Sequence, residues 1–504
     1  MNQPNANIVC LFEGAAAKYP QHVAIIYKDQ KIRYSELYAE VQQTAFYFQQ
    51  KGIKKGDRVL VFVPMSIDLY RIVLALFYIG ATAVFLDEWV SKKRLDLCCN
   101  IADCNGFVGV FKARLFGLFS EEIRRIPIKL HPRKKAHEAV VIPEQMQNSD
   151  PALITFTTGS TGTPKAANRT HGFLKEQFNA LVLEINPAPK DVDLPTLPIV
   201  LFMNLGIGCT SVIAEYKIKK PKSISPSYFV NLIEKNQITR LIASPFLVKI
   251  IANHLVKSQI LLKSLNKIFT GGAAVFPHEA SLFTQAFSSA IVTVAYGSTE
   301  AEPISSITAQ ELVLKTRRIK NGVAAGMPFS KAKVRIIALI DELPHKINEK
   351  ELQKLEVESG QIGEIIVSGP HVLGSYYNNE DAFKKNKIIT EEALWHRTGD
   401  SGFIQEGELF LTGRCQQVIK RNDDLILPFV IEMSLSEIDG VESGTILLQN
   451  EKLKLVVESD LPQEQIRNRV QNFQFDDLIV LKNIPKDPRH FSKIDYEKLK
   501  VLIS

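Results

Sequence analysis

The sequence predicts an α/β protein whose main body is followed by a more antiparallel β unit and by a small α+β domain at the C-terminus. Three observations carry this. Before about residue 332, apolar strand-like runs alternate with helical spacings. From about Ala332, strand-like runs follow one another across glycine-rich turns, and past residue 413 short strands and two helical patterns fill a stretch long enough for one small domain. The 504 residues, at roughly 150 residues per domain, allow about three compact units.

Residues 58–63 (RVLVFV) form a continuous apolar strand pattern. Residues 66–78 then place Leu69, Ile72, Val73 and Leu76 at helical spacing, and 81–86 read as strand again. The same rhythm returns at 240–243, 245–255 and 267–270. It predicts parallel sheets covered by helices, with right-handed crossovers. The longest apolar run, 72–86, contains Gly80 and is bordered by Arg71 and Asp87. It falls short of the ~20 residues of a membrane span, so a buried helix followed by a buried strand is expected. No signal peptide is read at the N-terminus, which has no charged segment followed by an apolar one. Further on, 333–339, 363–367 and 408–411 read as strands, and the charged, weakly periodic stretch 341–360 reads as an exposed insertion. The C-terminal part, divided from the rest near 413–417, carries strands at 444–448, 453–457 and 478–481 and helices at 463–472 and 496–503.

With 45% apolar and 23% charged residues, the composition is that of an ordinary globular protein and excludes disordered, collagen-like and coiled-coil chains. The net charge of +7, from 61 basic and 54 acidic residues, is mild for this length. A nucleic-acid binder concentrates its basic charge more strongly, so no nucleic-acid partner is expected. The densest basic stretch, 124–135, reads as a solvated loop. Contact with an acidic partner or a membrane surface is the alternative, and any membrane contact is expected to be peripheral. Six scattered cysteines without a C-x-x-C pair speak for a reducing compartment, hence a cytoplasmic location, and against a zinc site or disulfide framework.

The most informative stretch is 153–165, LITFTTGSTGTPK. An apolar strand enters a loop crowded with hydroxyls. Gly159 and Gly162 let backbone amides approach an anion, Thr157, Thr158, Ser160, Thr161 and Thr163 supply hydroxyls, and Lys165 adds positive charge. Together they suit a polyphosphate. This is not a Walker loop, because Pro164 precedes the lysine and Ala166 follows it. A Walker-type ATPase or kinase is therefore disfavoured.

This loop resembles the signature loop of the adenylate-forming superfamily, which includes acyl-CoA synthetases, peptide-synthetase adenylation domains and firefly-type luciferases. The resemblance runs from about residue 8 to 500. It implies an AMP-forming ligase that uses ATP and Mg²⁺ to activate a small-molecule carboxylic acid. The implied architecture is a large AMP-binding domain of stacked α/β subdomains over residues 1–413, followed by a small mobile α+β domain over 414–504 that carries the catalytic lysine. By resemblance, the loop and Lys165 hold the terminal phosphates, with Thr161 beside the metal. Tyr296, Gly297, Ser298, Thr299 and Glu300 are similar to the family's aromatic-Gly-x-Thr-Glu motif, which implies Tyr296 on the adenine, Thr299 at the α-phosphate and Glu300 on Mg²⁺. Gly271, Gly272 and Ala273 resemble the loop bordering the adenine and acyl sites. The run from Trp395 to Asp400 (WHRTGD) resembles the motif whose aspartate accepts from both ribose hydroxyls, and Gly413-Arg414 the one whose arginine reaches the ribose. Lys493 matches the catalytic lysine, with Ser492 where glycine is usual.

Asp423 also departs from the family pattern, replacing a glycine that lies beside the pantetheine path in thioester-forming members; a carboxylate there would repel coenzyme A. The stretches 192–198, 296–303 and 487–490 look most like the bacterial olefin-pathway β-lactone synthetases. In those enzymes an internal hydroxyl, not a thiol, attacks the activated acyl carbon. The resemblance leaves three outcomes open: β-lactone closure, transfer to a thiol of coenzyme A or an acyl carrier protein, and a non-catalytic nucleotide-binding member of the fold. Phe202, Met203, Asn204, Leu205, Gly206 and Ile207 lie where members line the acyl chain; mostly apolar, they imply a fatty or 3-hydroxy fatty acid rather than an amino acid. His171, after the phosphate loop, is expected to make a structural hydrogen bond.

Overall fold

The expected alternation of strand and helix builds two sheets in the computed structural model, which describes residues 5–86, 92–136, 140–157, 164–216, 223–422, 424–486 and 493–504. The smaller sheet has six strands in the order Ile128–Leu130, Gly106–Gly109, Arg58–Phe62, Thr82–Phe85, Pro151–Thr157, Lys165–Thr170. All neighbours are parallel except the last pair. The apolar run from Ile72 splits as expected into a helix, Ile67–Tyr78, and the strand Thr82–Phe85. Ser66 caps the helix by accepting from the Leu69 N–H at 3.3 Å. Every residue from Leu69 to Tyr78 is buried, which is why the run lacks an amphipathic stripe.

The larger sheet has fourteen strands. Its parallel part includes Val23–Tyr27, Val192–Pro195, Thr210–Ile213, Arg240–Ala243, Lys267–Gly271 and Ile291–Ser298. The direction then reverses, because Ile291–Ser298 turns through Thr299 and Glu300 into the antiparallel strand Ala301–Thr308. A connection this short permits no other pairing. The antiparallel unit expected after Ala332 therefore begins at 301, and it continues the parallel sheet rather than standing apart. Beyond it come Val323–Pro328, Glu408–Arg414, Leu394–Gln405, Gly363–Ser368 and Lys333–Ile337. Leu394–Gln405 and Glu408–Arg414 are joined by the two-residue turn Glu406 (φ 54°) and Gly407 (φ 81°). Both residues are left-handed there, as a type I′ hairpin requires.

Two surface expectations are corrected. The charged stretch 341–360 is not a mere exposed insertion. Asn348 and Glu351 form a capping box that starts the helix Glu349–Leu355. Its Leu352 is fully buried among Ile337, Ile366, Ile388 and Trp395. The basic stretch 124–135 is not all loop: it ends a helix (Glu121–Arg125) and forms the edge strand Ile128–Leu130. Its side chains Arg124, Arg125, Lys129, Arg133 and Lys134 are exposed, as a solvated stretch requires, with Arg133 3.5 Å from Asp68 and Lys135 2.8 Å from Glu40.

At the C-terminus, Ser443–Gln449, Lys452–Glu458 and Asp477–Leu481 form a separate three-stranded sheet. It packs with the helices Pro428–Leu435, Gln463–Arg469 and Tyr496–Leu502 around cores containing Leu435, Ile446, Leu455, Ile466 and Leu499. All six cysteines are free thiols. Among the described residues no helix is long and apolar enough to cross a membrane.

Candidate active site

Tyr296 lies near the end of the strand Ile291–Ser298, and Glu300 in the turn that reverses the large sheet. Beside it, the strand Lys267–Gly271 ends in the Gly271-Gly272-Ala273 loop. A Cβ on Gly271 would lie 2.5 Å from the Ala295 carbonyl oxygen, and Gly272 has φ 81°, so this close approach needs glycine. Asp400 and Arg414 are direct cross-strand partners in their hairpin. Register alone therefore brings together two residues that the sequence keeps apart.

Three of the expected nucleotide residues touch. Asp400 Oδ2 accepts from the Tyr296 hydroxyl at 2.9 Å, and Asp400 Oδ1 pairs with Arg414 at 3.1 Å. The Asp400 carboxylate raises the arginine's pKa, and burial, reinforced by that carboxylate, holds the Tyr296 phenol well above its ordinary value. An ionised carboxylate has about four acceptor sites, so Asp400 keeps capacity for further donors. These residues line a cavity of about 540 Å³ with Gly272, Ala273, Gly297 and Lys493.

Lys493 reaches that cavity from the C-terminal sheet. Ile494 pairs with Lys486 in an isolated bridge, the Asp495 N–H donates to Pro485 O at 2.8 Å, and Asp495 caps the helix Tyr496–Leu502. The cavity's far wall is Glu432, Tyr496 and Ser436. Ser436 contacts His278 of the body at 3.2 Å, and the rings of Phe429 and Phe276 lie 5.3 Å apart. Glu432 accepts from Tyr496 and, at 2.9 Å, from Thr445. Burial pushes its pKa up from 4.5 to about 7. The folded chain thus binds this proton more tightly than the unfolded one. The resulting stabilisation is fully present below about pH 4.5 and is lost as pH rises through about 7. Melting curves from pH 5 to 8 should show the native protein losing stability relative to Glu432→Gln, on the order of 3 kcal/mol at about 1.4 kcal/mol per pH unit.

Lys165, Thr299 and Glu300 form a second cluster that does not line this cavity. The segment around Tyr376 lies between the sheets, bridging Ala167 through Tyr376 and Ala301 through Val372. The Tyr376 hydroxyl donates to Glu300 Oε1 at 3.3 Å, and its ring has the Lys165 and Lys387 ammonium groups each 6.0 Å from its centroid. Lys165 donates to Asn386 Oδ1 at 2.7 Å; burial lowers its pKa and Glu300 opposes the shift. Lys387 is fully buried, donates to the Leu373 carbonyl and has its pKa lowered to about 7 by burial. The Thr299 carbonyl accepts from Arg169 at 3.5 Å.

The loop residues Thr158, Gly159, Ser160, Thr161, Gly162 and Thr163 lie outside the described residues, as do Asp423 and Ser492. What is described is the frame of the loop. Thr157 and Lys165 are cross-strand partners at its two ends, so the loop closes a hairpin and no helix follows it directly. Tyr376, Asn386, Lys387 and Arg169 were missed by the sequence analysis, since none sits in a local pattern and each joins the site through distant contacts. In the acyl region, Phe202 and Met203 border a small apolar cavity of about 50 Å³. Asn204 does not: it donates to Asp193 at 2.6 Å and accepts from Arg240 at 2.7 Å in a buried network. His171 accepts from the Ile8 N–H through Nδ1 at 3.1 Å, and burial lowers its pKa to about 4, so the ring is neutral and structural.

The chain belongs to the family of AMP-binding enzymes, matching that family's model over residues 12–377, and is an AMP-forming, carboxylate-activating member of the adenylate-forming superfamily. Among its relatives is an olefin β-lactone synthetase of Stenotrophomonas maltophilia (strain K279a), 27% identical over an alignment of 556 residues that covers 100% of this chain and 99% of that protein. A 2-succinylbenzoate–CoA ligase of Bacillus cereus (strain Q1) is 25% identical over 450 residues, covering 86% of this chain and 84% of that one. The fold matches the O-succinylbenzoate coenzyme A synthetase of Bacillus subtilis solved with ATP and magnesium ion, with TM-score 0.80, 21% identity and 99% of each chain covered.

Proposed function

We propose that the protein uses MgATP to adenylate a hydrophobic carboxylic acid, and that it closes a 3-hydroxylated acid to a β-lactone. The observation that carries the first step is the meeting of Lys493, from the C-terminal sheet, with Tyr296, Asp400 and Arg414 at one cavity. In this reading the nucleoside lies against Tyr296, Gly272, Ala273 and Gly297, with its ribose on Asp400 and Arg414. Residues 157–162 and Lys165 hold the outer phosphates, and Thr299 sits at the α-phosphate. A carboxylate oxygen attacks the α-phosphorus, the bond to the bridging oxygen breaks and pyrophosphate leaves. Lys493 offsets the charge that develops there. We place the division between body and C-terminal domain at 413/414, so that Arg414, the last rung of the large sheet, is the residue at which the chain leaves it for the C-terminal hairpin and sheet.

The residues fit Mg²⁺. Glu300 offers a carboxylate among cations, and Mg²⁺ is usually held by one or two carboxylates plus substrate phosphates rather than by a full protein cage. Glu300 and Thr161 would hold the ion, which would neutralise phosphate charge. Tyr376 then acts by orienting Glu300. Tyr376→Phe should raise the Mg²⁺ concentration for half-maximal ATP–pyrophosphate exchange about fivefold, the worth of one hydrogen bond, with little loss at saturating Mg²⁺.

The lactone step is supported by the full-length similarity to an olefin β-lactone synthetase. The 3-hydroxyl oxygen attacks the acyl carbon, AMP leaves and the hydroxyl proton passes to solvent. The similarity to a CoA ligase supports a second reading, transfer to the thiol of coenzyme A or of a carrier protein. Mass spectrometry of products from long-chain acids, with and without a 3-hydroxyl and with and without coenzyme A, separates the two. Acid-independent release of pyrophosphate, or ADP as product, would overturn both.

A further inference from the structure

The helix Phe111–Gly117 and the two residues after it carry large exposed apolar side chains. Ala113, Gly117 and the following Ser120 are buried, while Phe111, Leu115, Leu118 and Phe119 are 81, 50, 61 and 68% exposed. Lys112 and Arg114 are exposed among them and form no ion pair among the described residues. No acidic residue occurs between 104 and 120. The first that follow, Glu121 and Glu122, are paired with Arg125 at 2.6 and 3.1 Å. On the adjoining helix Lys92–Ala102, Asp96 accepts from the Ser120 hydroxyl at 2.6 Å, and the exposed face one residue along presents Lys93 and Leu97.

Single exposed apolar side chains are ordinary, but a contiguous set rimmed by polar groups marks a contact surface. The interleaved cations decide between occupants. In a two-fold pair, each copy would set its own Lys112 and Arg114 against a face that carries the same charges. A bilayer with anionic headgroups instead offers an apolar layer beneath a negative plane, matching both features at once.

We propose that residues 111–119 dock the protein peripherally on an anionic lipid surface, with Phe111, Leu115, Leu118 and Phe119 at the headgroup–acyl boundary and Lys112 and Arg114 on lipid phosphates. The apolar acid of the proposed reaction gives the surface a use, since such acids partition into bilayers.

The test is co-sedimentation of the full chain with phosphatidylcholine vesicles and with vesicles that also contain phosphatidylglycerol. The native protein should sediment with the anionic vesicles far more than with the neutral ones. Lys112→Gln with Arg114→Gln should lower that partition by roughly thirtyfold, each cation being worth about a fivefold factor near such a surface. Phe111→Ser with Phe119→Ser should also release it. Thermal melts and exchange with a short, water-soluble acid should stay as in the native protein for both variants. Vesicle binding is read independently of catalysis, so failure of the enzymatic reading leaves this test intact. No sedimentation with anionic vesicles, or equal sedimentation of native and variant proteins, would overturn the proposal. So would a dimer in solution that Phe111→Ser dissociates, which would give the face to a second copy.

Discussion

Lys493→Ala is expected to cut acid-dependent ATP–pyrophosphate exchange by roughly 100- to 1,000-fold, the usual cost of losing one preorganised stabiliser of transition-state charge. Nucleotide binding, measured by fluorescence or calorimetry, should stay within a few fold. The split follows from the geometry. Tyr296, Asp400 and Arg414 belong to the large sheet and hold one another without Lys493. The lysine arrives from the C-terminal sheet, fixed by the Lys486–Ile494 bridge and the Asp495 cap. In the proposed reading its removal should therefore take charge from the reaction centre and leave the nucleoside end assembled. Undiminished exchange in this variant would remove Lys493 from the mechanism.

Asp400→Ala should do the reverse. It takes away the carboxylate that pairs with Arg414 and accepts from Tyr296, leaving two donors without their partner at the cavity wall. The KM for ATP should rise about 100-fold, equivalent to about 2.7 kcal/mol, with a smaller change in the rate at saturating ATP. Asp400→Asn keeps an acceptor oxygen but not the charge, and should fall between. An unchanged KM in Asp400→Ala would place the ribose elsewhere.

What could be read from the sequence is what is written contiguously. The strand–helix–strand pattern over residues 58–86 is visible because a buried helix and a buried strand are both continuous apolar runs, told apart by length and by Gly80. The motifs proposed for the nucleotide are visible because each is a short contiguous stretch of sequence: 153–165, 296–300, 395–400 and 413–414. The contacts that join them are not local. Tyr376 meets Glu300, and Lys165 meets Asn386, only because the segment around Tyr376 runs between two sheets. The helix Glu349–Leu355 was missed for another reason. Its capping pair, Asn348 and Glu351, is plain in the sequence, but the surrounding charge hides the two leucines, Leu352 and Leu355, that anchor it. The switch of the large sheet to antiparallel pairing at 301 is not legible because the residues that make the turn, Thr299 and Glu300, lie inside the motif 296–300 and carry no turn-forming pattern of their own.

The turn at Glu406 and Gly407 has a bearing on catalysis that its distance from the nucleotide would not suggest. Two residues in left-handed conformation start the Leu394–Gln405 and Glu408–Arg414 ladder in register, and a shift between Ser401 and Gly402, which leaves Thr412 as an extra residue, then sets Asp400 opposite Arg414. Side chains alternate sides along a strand, so a slip by a single residue would swing one member of the pair away from the other. Deleting Gly407, at the remote tip of the hairpin, would change the register that the shift at Thr412 has to absorb, and would thereby loosen the pair proposed to hold the ribose.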